Sequence, residues 1–458
     1  MRTAPDSSQE NHYSVLIIGG GQAGLSMSYN LKQQGIDHLI IEKNRIGHAW
    51  RSERWDTFCL VTPNWQCTLP GFHYAGSDPY GFMKKDEIVE YIDQYVASFN
   101  PPVMEGATVT RLRRNDAGLF ELDTAKGTLS ADQVVVAVGG YHLPVVPSVA
   151  HQLAPHIAQI HSCEYRNPES LPAGEVLVVG TGQSGCQIAE DLHLAGRRVH
   201  LCVGDAPRVA RTYRGKDVVE WLDHMKYYDL PVERHPLGTG VREKTNHYVT
   251  GRDGGRDIDL RKFALEGMQL YGRFENIVGG VAQFGAGLAG YLDHADAVSE
   301  NIKDSIDKFI AQNNLEAPEE ARYVPVWQPP ADIANSLDLQ RSNISAVVWC
   351  VGFRTDFSWI EEAIFDERGY PGHERGVTAT AGLYFLGLPW QYTWGSGRFS
   401  GVARDAAYLA QQIVARRANT EPESQSQSQS QSQSQSQSQS QSEPQTQTQT
   451  QQATAVAS

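Results

Sequence analysis

The sequence contains two glycine-rich turns, each directly after a short apolar run. The first turn is residues 19–24 (GGGQAG), after the run at 15–18 (VLII), and the second is residues 180–185 (GTGQSG), after the run at 176–179 (VLVV). This pattern predicts a buried strand, a tight turn and a helix, which together bring backbone amides and a helix N-terminus to a diphosphate. The chain is therefore predicted to bind two dinucleotides, an arrangement typical of electron transfer between them.

Each turn begins a larger β-turn-α-β pattern. In the first unit, a helix over 23–34 ends at Gly35, and a second strand at 38–41 is followed by Glu42. An acidic residue about 20 positions after the glycines accepts hydrogen bonds from the ribose hydroxyls of an adenosine. The spacing therefore predicts that Glu42 binds the first nucleotide.

The second unit, over 175–203, has no acidic residue at the tip of its second strand. Asp205 comes shortly after the tip and favours a free ribose, as in NADH. Arg208 and Arg211 follow, and an arginine at this place favours the 2′-phosphate of NADPH. The sequence favours NADPH and leaves NADH as the alternative.

Composition limits the class of protein. The chain has 458 residues, enough for two or three domains, with 40% hydrophobic residues and a net charge of −14. This acidic balance argues against nucleic acid or an anionic membrane as the main partner. No signal peptide and no apolar run long enough for a membrane span is recognised, so a cytoplasmic protein is predicted.

The cysteines indicate a reducing compartment. Six cysteines are scattered along the chain, and none forms a CxxC pair. This spread argues against a dithiol–disulfide flavoenzyme, which needs two sulfur atoms close together. No metal site is predicted, and the sequence does not determine the oligomeric state.

Other segments are assigned by pattern. A helix is predicted over 86–99, an antiparallel meander over 108–129, late buried strands at 345–351 and 382–387, and a helix over 402–417. Residues 205–335 show no clear pattern of helices or strands. From residue 421 the chain consists largely of Ser-Gln and Gln-Thr repeats, for which disorder is predicted.

Several motifs resemble those of the two-dinucleotide flavoprotein monooxygenases, also called flavin-containing or class B monooxygenases. The similarity covers roughly residues 13–417. Its motifs are residues 47–50 (GHAW), the loop at 55–70, residues 136–139 (VAVG) with two later prolines, 348–353 (VWCVGF) and 382–387 (GLYFLG). Residues 254–260 (GGRDIDL) and 396–402 are most similar to the branch labelled as flavoproteins of potassium transport.

The resemblance implies an α/β fold with two Rossmann-like, three-layer (β/β/α) dinucleotide-binding domains. An FAD domain is expected over 1–170 and 340–417, an inserted NADP domain over 171–339, and a tail over 418–458. The predicted cofactor-binding residues are Gly19, Gly21, Gln22, Ala23, Gly24, Glu42, Lys43, Trp50, Gly139, Gly180, Gly182, Gln183, Ser184, Gly185, Arg208, Arg211, Gly352, Gly387 and Gly397.

The resemblance also implies an activity. FAD is expected in the first site and NADPH in the second, with oxygenation of a small organic substrate by O2 through a C4a-hydroperoxyflavin. Two alternatives remain open. One is a flavin oxidase or dehydrogenase that produces peroxide, and the other is a nucleotide-sensing regulatory flavoprotein of a transporter.

The candidates for a catalytic role are Thr62, Asn64 and His161. Many N- and S-oxygenating members of the family have an asparagine two residues before the loop proline, where this chain has Val61; Asn64 lies after that proline. In the family fingerprint FxGxxxHxxx[FY], His161 and Tyr165 match but the Phe and Gly positions do not. His161 is interpreted as a hinge at the domain junction or as a structural histidine.

Overall fold

The computed structural model describes residues 11–420 of the chain. Helices are α1 (Gln22–Gln33), α2 (His48–Ser52), α3 (Lys85–Phe99), α4 (Gln183–Leu194), α5 (Val218–His224), α6 (Leu260–Leu265), α7 (Leu288–Gln312) and α8 (Val402–Thr420). The predicted Ser-Gln and Gln-Thr repeats lie outside the described residues.

Strands come from the whole length of the described chain. The first twelve are β1 (His12–Ile18), β2 (His38–Ile41), β3 (Thr68–Leu69), β4 (Phe72–His73), β5 (Val103–Met104), β6 (Val109–Arg114), β7 (Phe120–Thr124), β8 (Gly127–Val136), β9 (Leu143–Pro144), β10 (Ala158–His161), β11 (Glu175–Val179) and β12 (Val199–Cys202). The others are β13 (Thr212–Tyr213), β14 (Lys216–Asp217), β15 (Gln269–Tyr271), β16 (Phe274–Val278), β17 (Val281–Phe284), β18 (Ser336–Asp338), β19 (Ile344–Trp349), β20 (Phe353–Arg354), β21 (His373–Glu374), β22 (Val377–Thr378) and β23 (Leu383–Phe385).

The first main sheet has nine strands and carries the first glycine turn. Its central strands β23, β8, β1, β2 and β5 are parallel, and the β6–β7 hairpin pairs with β8. Leu16 and Ile18 pack with apolar residues of the hairpin, such as Leu122, on one face. Helix α1 lies on the other face, against Ile17. The sheet is therefore the middle of three layers, as predicted.

The second main sheet has five parallel strands in the order β10, β19, β11, β12 and β15. Val178 packs with Ile188 of α4 on one face, and Leu177 packs with Phe284 of the three-stranded β16–β17–β18 sheet on the other. The same β/β/α layering is thus repeated, and the α/β fold with two Rossmann-like sheets is confirmed.

The sheets do not follow the predicted domain boundaries at two places. Strand β10 lies within the expected 1–170 part of the FAD domain, and β19 lies within its expected 340–417 part, yet both belong to the second sheet. The division into an FAD domain and an inserted NADP domain stays a prediction. Among residues 11–420, no helix is both long and apolar enough to cross a membrane.

Candidate functional site

The first glycine turn forms an open backbone cradle at the carboxyl end of β1. Gly19 has φ +107°, and a Cβ atom there would lie 2.5 Å from the Ala137 carbonyl oxygen. A Cβ atom on Gly24 would lie 1.9 Å from the Gly19 carbonyl oxygen, so α1 approaches the turn closely. At Gly21, the N-cap of α1, a Cβ atom would meet open space, and no side chain caps the helix. This space at a helix N-terminus suits a diphosphate.

The second glycine turn repeats this geometry. Gly180 has φ +106°, and its Cβ atom would lie 2.6 Å from the Cys350 carbonyl oxygen, while a Cβ atom on Gly185 would lie 1.9 Å from the Gly180 oxygen. Gly182 is the N-cap of α4, again without a side-chain cap. The nearest atom to a Cβ there would be the Thr245 methyl carbon, 3.7 Å away. Two cradles with the same geometry therefore lie at the carboxyl ends of parallel strands in the two main sheets.

Glu42 lies where the spacing predicts, at the end of β2 beside the first cradle. Its side chain is buried, and its two carboxylate oxygens accept hydrogen bonds from the Gly20 amide (2.7 Å) and the Asn44 amide (2.8 Å). A carboxylate has about four acceptor positions, so Glu42 keeps acceptor capacity for ribose hydroxyls. The neighbouring Lys43 is exposed.

Residues that are distant in sequence meet at the start of α1. The Gln22 amide oxygen accepts a hydrogen bond from Trp50 Nε1 (3.1 Å), and Gln22 Nε2 donates to the Gly397 carbonyl oxygen (3.1 Å). A Cβ atom on Gly387 would lie 2.8 Å from that of Ala23. The structure thus brings these five predicted cofactor residues together. Gly139 also follows the end of a central strand, β8.

A segment that the sequence does not predict, residues 245–249, packs against the second cradle. Gln183, the first residue of α4, donates from its side chain to the Val249 carbonyl oxygen (2.5 Å), and Gln187 donates to the same oxygen (3.3 Å). The segment 245–249 therefore lies against the start of α4. Ser184 is half-buried beside it, and Gly352 follows β19 with φ +89°.

Arg208 and Arg211, expected at the 2′-phosphate of NADPH, have internal partners instead. Arg208 Nε donates to Asp296 (2.6 Å), and Arg211 donates to Asp217 (2.6 Å) and to the Val61 carbonyl oxygen (2.8 Å). Both side chains are buried. Because carboxylates already neutralise them, we do not assign a phosphate to these two arginines.

Arg273 is a further candidate for binding a phosphate, and the sequence patterns do not predict it. It follows β15, and its Nη2 donates to Asp205 (3.1 Å), which follows the neighbouring parallel strand β12. Both side chains are exposed. No sequence signal connects Arg273 with Asp205, since they are 68 positions apart.

His161 is engaged at both ring nitrogens. Nε2 lies 3.0 Å from the Gly352 carbonyl oxygen, and Nδ1 lies 3.2 Å from Cys163 Sγ. Burial lowers the pKa of His161, and the Gly352 carbonyl acts in the opposite direction. The ring also packs edge-on against Phe353. These contacts favour a structural histidine that joins β10 to the end of β19.

Asn64 is buried, and its amide group is used within its own loop. Its Nδ2 donates to the Asp78 carbonyl oxygen (2.9 Å), and its Oδ1 accepts from the Met83 amide (2.7 Å). These two bonds hold the loop at 64–83 together and account for both ends of the amide. Thr62, the third candidate, is half-buried and lies two residues before Asn64.

We therefore expect Asn64→Ala to affect stability rather than the fate of O2. Loss of the buried hydrogen bond leaves the Met83 amide without this partner, which costs about 1–3 kcal/mol, and the part-buried bond to the Asp78 carbonyl is lost as well. Urea unfolding measures the loss, and the exposed Asn301→Ala on α7 serves as the control. A changed ratio of peroxide to NADPH consumed, with stability unchanged, would contradict this structural role.

The six cysteines are free thiols. Burial raises the pKa of Cys59 to about 11 and that of Cys67 to about 12, and it also raises the pKa of Cys186, Cys202 and Cys350. Reactive cysteines in redox enzymes have lowered pKa values. Nothing in this arrangement supplies a redox-active dithiol.

A short series of contacts connects the two cradles. Gln22 at the first cradle bonds to Gly397, and the next residue, Arg398, donates from Nη2 to the Asn246 side chain (2.9 Å). Asn246 follows Thr245, which faces Gly182 at the second cradle. The loop at 388–401 and the segment at 244–250 therefore lie between the cradles.

Comparisons with known proteins agree with this arrangement. Residues 16–232 match the family described as pyridine nucleotide-disulphide oxidoreductase. The chain resembles a flavin monooxygenase from Stenotrophomonas maltophilia with a TM-score of 0.61 and 18% identity, covering 88% of this chain and 99% of that one. It is also 27% identical to the probable indole-3-pyruvate monooxygenase YUCCA4 of Arabidopsis thaliana, over 42% of this chain and 47% of that relative.

A full-length relative defines the family. An uncharacterized CzcO-like oxidoreductase of Geobacillus kaustophilus is 34% identical over 404 residues, covering 87% of this chain and 98% of the relative. The family and the fold imply FAD and NADPH as the cofactors, in agreement with the prediction. The chain belongs to the CzcO-like oxidoreductases, a family related to the flavin-containing monooxygenases.

Proposed function

We propose that this protein is an FAD-dependent monooxygenase that NADPH reduces and that oxygenates a small organic substrate with O2. The observation that carries the proposal is the pair of matching cradles, each open at its N-cap glycine (Gly21 and Gly182) and joined through Gln22, Arg398 and Asn246. This arrangement supports two dinucleotides whose reactive ends meet between the cradles.

The first cradle would hold FAD. Backbone amides at residues 19–24 would bind its diphosphate, and Glu42 would accept hydrogen bonds from the adenosine ribose. Trp50, whose ring stacks on Phe399 at 5.3 Å, would limit the access of water near Gln22. The remaining predicted residues of this site are Lys43, Gly139, Gly387 and Gly397.

The second cradle would hold NADPH. Backbone amides at residues 180–185 would bind its diphosphate, with Gly352 nearby at the end of β19. We assign the 2′-phosphate to Arg273 in place of Arg208 and Arg211. The ion pair of Arg273 with Asp205 is exposed at the carboxyl end of the second sheet and is therefore weak, so a phosphate can replace this carboxylate. The other two arginines are buried in their ion pairs. When bound, the two cofactors supply hydride transfer to the flavin and activation of O2.

The thiols support oxygenation over disulfide reduction. A disulfide reductase of the thiol-exchange type needs a reactive cysteine pair near the flavin. In this chain all six cysteines are unpaired, and burial raises the pKa of five of them while Cys163 shifts in the same direction. The chain's own residues therefore argue against a disulfide as the electron acceptor, and O2 is the acceptor that we propose.

Peroxide-producing oxidase activity is the second candidate, and one observation favours it. Val61 stands where many oxygenating members have an asparagine, and the amide of Asn64 is already bonded to Asp78 and Met83. The Asn64 amide is therefore not free to hold an oxygen species. Direct release of peroxide would then compete with oxygenation.

Stoichiometry distinguishes the two candidates. The test measures NADPH oxidation, O2 uptake, peroxide and sulfoxide with methyl phenyl sulfide and (phenylthio)acetate as probes. A monooxygenase is expected to form sulfoxide and water for each NADPH and O2 consumed, with peroxide well below the NADPH consumed. Equal amounts of peroxide and NADPH would instead support the oxidase. Flavin-containing protein that NADPH does not reduce would overturn both.

A further inference from the structure

Two arginines beside the first cradle have no carboxylate partner. Arg54 donates to the Glu53 carbonyl oxygen (2.8 Å), and Arg398 donates to the Asn246 side chain (2.9 Å) and to the Trp394 carbonyl oxygen. Both are half-buried. In contrast to Arg208 and Arg211, they are bonded only to neutral groups in the structure.

Both arginines are connected to one pair of stacked rings, Arg54 by contact and Arg398 by its position in the chain. The Arg54 guanidinium is 5.0 Å from the centroid of the Trp50 ring, and Trp50 stacks on Phe399 (5.3 Å), which directly follows Arg398. Trp50 and Gly397 both bond to Gln22 at the start of α1. Arg54 is therefore held beside the start of α1 at the first cradle, and Arg398 extends from there to Asn246 beside the second cradle.

Electrostatics at this place favour an anion. Burial lowers the pKa of both arginines. The Glu53 carboxylate acts in the opposite direction on Arg54, and Tyr141 does so on both arginines. A guanidinium nevertheless stays charged in proteins, so the cost of its desolvation is offset only by an anion or by hydrogen bonds. An arginine fork binds a carboxylate in a geometry that fits both groups.

The surroundings of the arginines are aromatic. Arg398 lies 4.0 Å over the Trp394 ring, which in turn packs at 4.7 Å from the Tyr228 ring. Arg54 lies 5.5 Å from the ring of Phe58. Such rings offer apolar and cation–π contacts to a ligand.

We propose that Arg54 and Arg398 bind the carboxylate of a substrate that also carries an aromatic or other apolar body. This inference rests on the proposed function, because it names the substrate class of the same site. The cofactor diphosphates are a less favoured source of the anion, since backbone amides at the two cradles already serve them.

Calorimetric titration of flavin-loaded protein with phenylacetate and phenylacetamide tests the inference without turnover. Wild-type protein is expected to bind the acid about tenfold or more tightly than the amide, because a charge-assisted hydrogen bond is lost with the amide. Arg398→Gln and Arg54→Gln should each weaken binding of the acid by about tenfold and leave the amide unchanged. Arg398→Lys should retain part of the preference, since it keeps the charge.

Arg368→Gln is the matched control, because Arg368 is exposed and paired with Glu243. Equal binding of acid and amide to wild-type protein, or binding of neither, would overturn the inference. The inference would equally fail if the variants lost flavin or raised the KM for NADPH while keeping the preference for acid, since the arginines would then serve a cofactor phosphate. A preference for acid in protein that fails to oxygenate any probe would count against the proposed function alone.

Discussion

The Gly21→Glu variant is expected to fold and to be purified without flavin colour. Gly21 has φ −82°, which any residue adopts, and a Cβ atom there meets no protein atom within 4 Å. A glutamate at the N-cap of α1 would place its carboxylate at the positive end of the helix dipole, where the diphosphate is expected. Like charge and bulk should together weaken flavin binding by well over the tenfold in Kd that about 1.4 kcal/mol represents, so that the flavin is lost during purification.

The ratio of flavin absorbance to protein absorbance measures occupancy, and thermal unfolding reports whether the variant folds. Gly290→Glu makes the same substitution in open space on α7 and should stay yellow. Gly24→Ala tests the other possibility, that a substitution disturbs the fold rather than the diphosphate. Its Cβ atom would lie 1.9 Å from the Gly19 carbonyl oxygen, so this variant should be less stable than the wild type. Gly21→Glu protein with wild-type flavin content would show that the first cradle does not hold the cofactor.

Those parts of the fold that depend on local sequence are predictable. Helix α3 was expected over 86–99 and spans Lys85–Phe99, and the expected meander over 108–129 corresponds to β6, β7 and β8. The cradles are predictable for the same reason. The positive φ angles of Gly19 and Gly180 exclude most other residues, so the spacing of the glycines is enough to predict each turn.

Contacts between distant residues are not predictable from one sequence. Arg208 is neutralised by Asp296, 88 positions away, and nothing in the local pattern separates this buried ion pair from a phosphate site. Asn64 looks like a free loop amide until the fold brings the Asp78 carbonyl and the Met83 amide to it.

The same reason accounts for the two strands outside the expected domain. Strand β19 pairs with both β10 and β11 across large sequence separations, and its apolar run is equally compatible with either sheet. The connections between sheets therefore decide which core a buried strand joins. The expected domain limits come from the positions of family motifs. A motif does not show which sheet a neighbouring strand joins.

The Gly182→Glu variant is expected to remain yellow and to lose reduction by NADPH. Gly182 has φ −64° and is the N-cap of α4, and a Cβ atom there would meet only the Thr245 methyl carbon at 3.7 Å. The substitution therefore fits the fold, and the first cradle, in the other sheet, is unchanged. A carboxylate at the start of α4 would repel the NADPH diphosphate, as at Gly21 in the first cradle.

Anaerobic stopped-flow reduction measures the effect. The second-order rate of flavin reduction by NADPH should fall by about a hundredfold or more, which corresponds to roughly 2.7 kcal/mol at 1.36 kcal/mol per tenfold. Dithionite should still reduce the variant fully, because the flavin is present and this reductant does not need the second cradle. Gly290→Glu should keep the wild-type rate. Rapid reduction of Gly182→Glu by NADPH would mean that the nicotinamide cofactor binds elsewhere, and the pairing of the two cradles would then no longer support electron transfer between them.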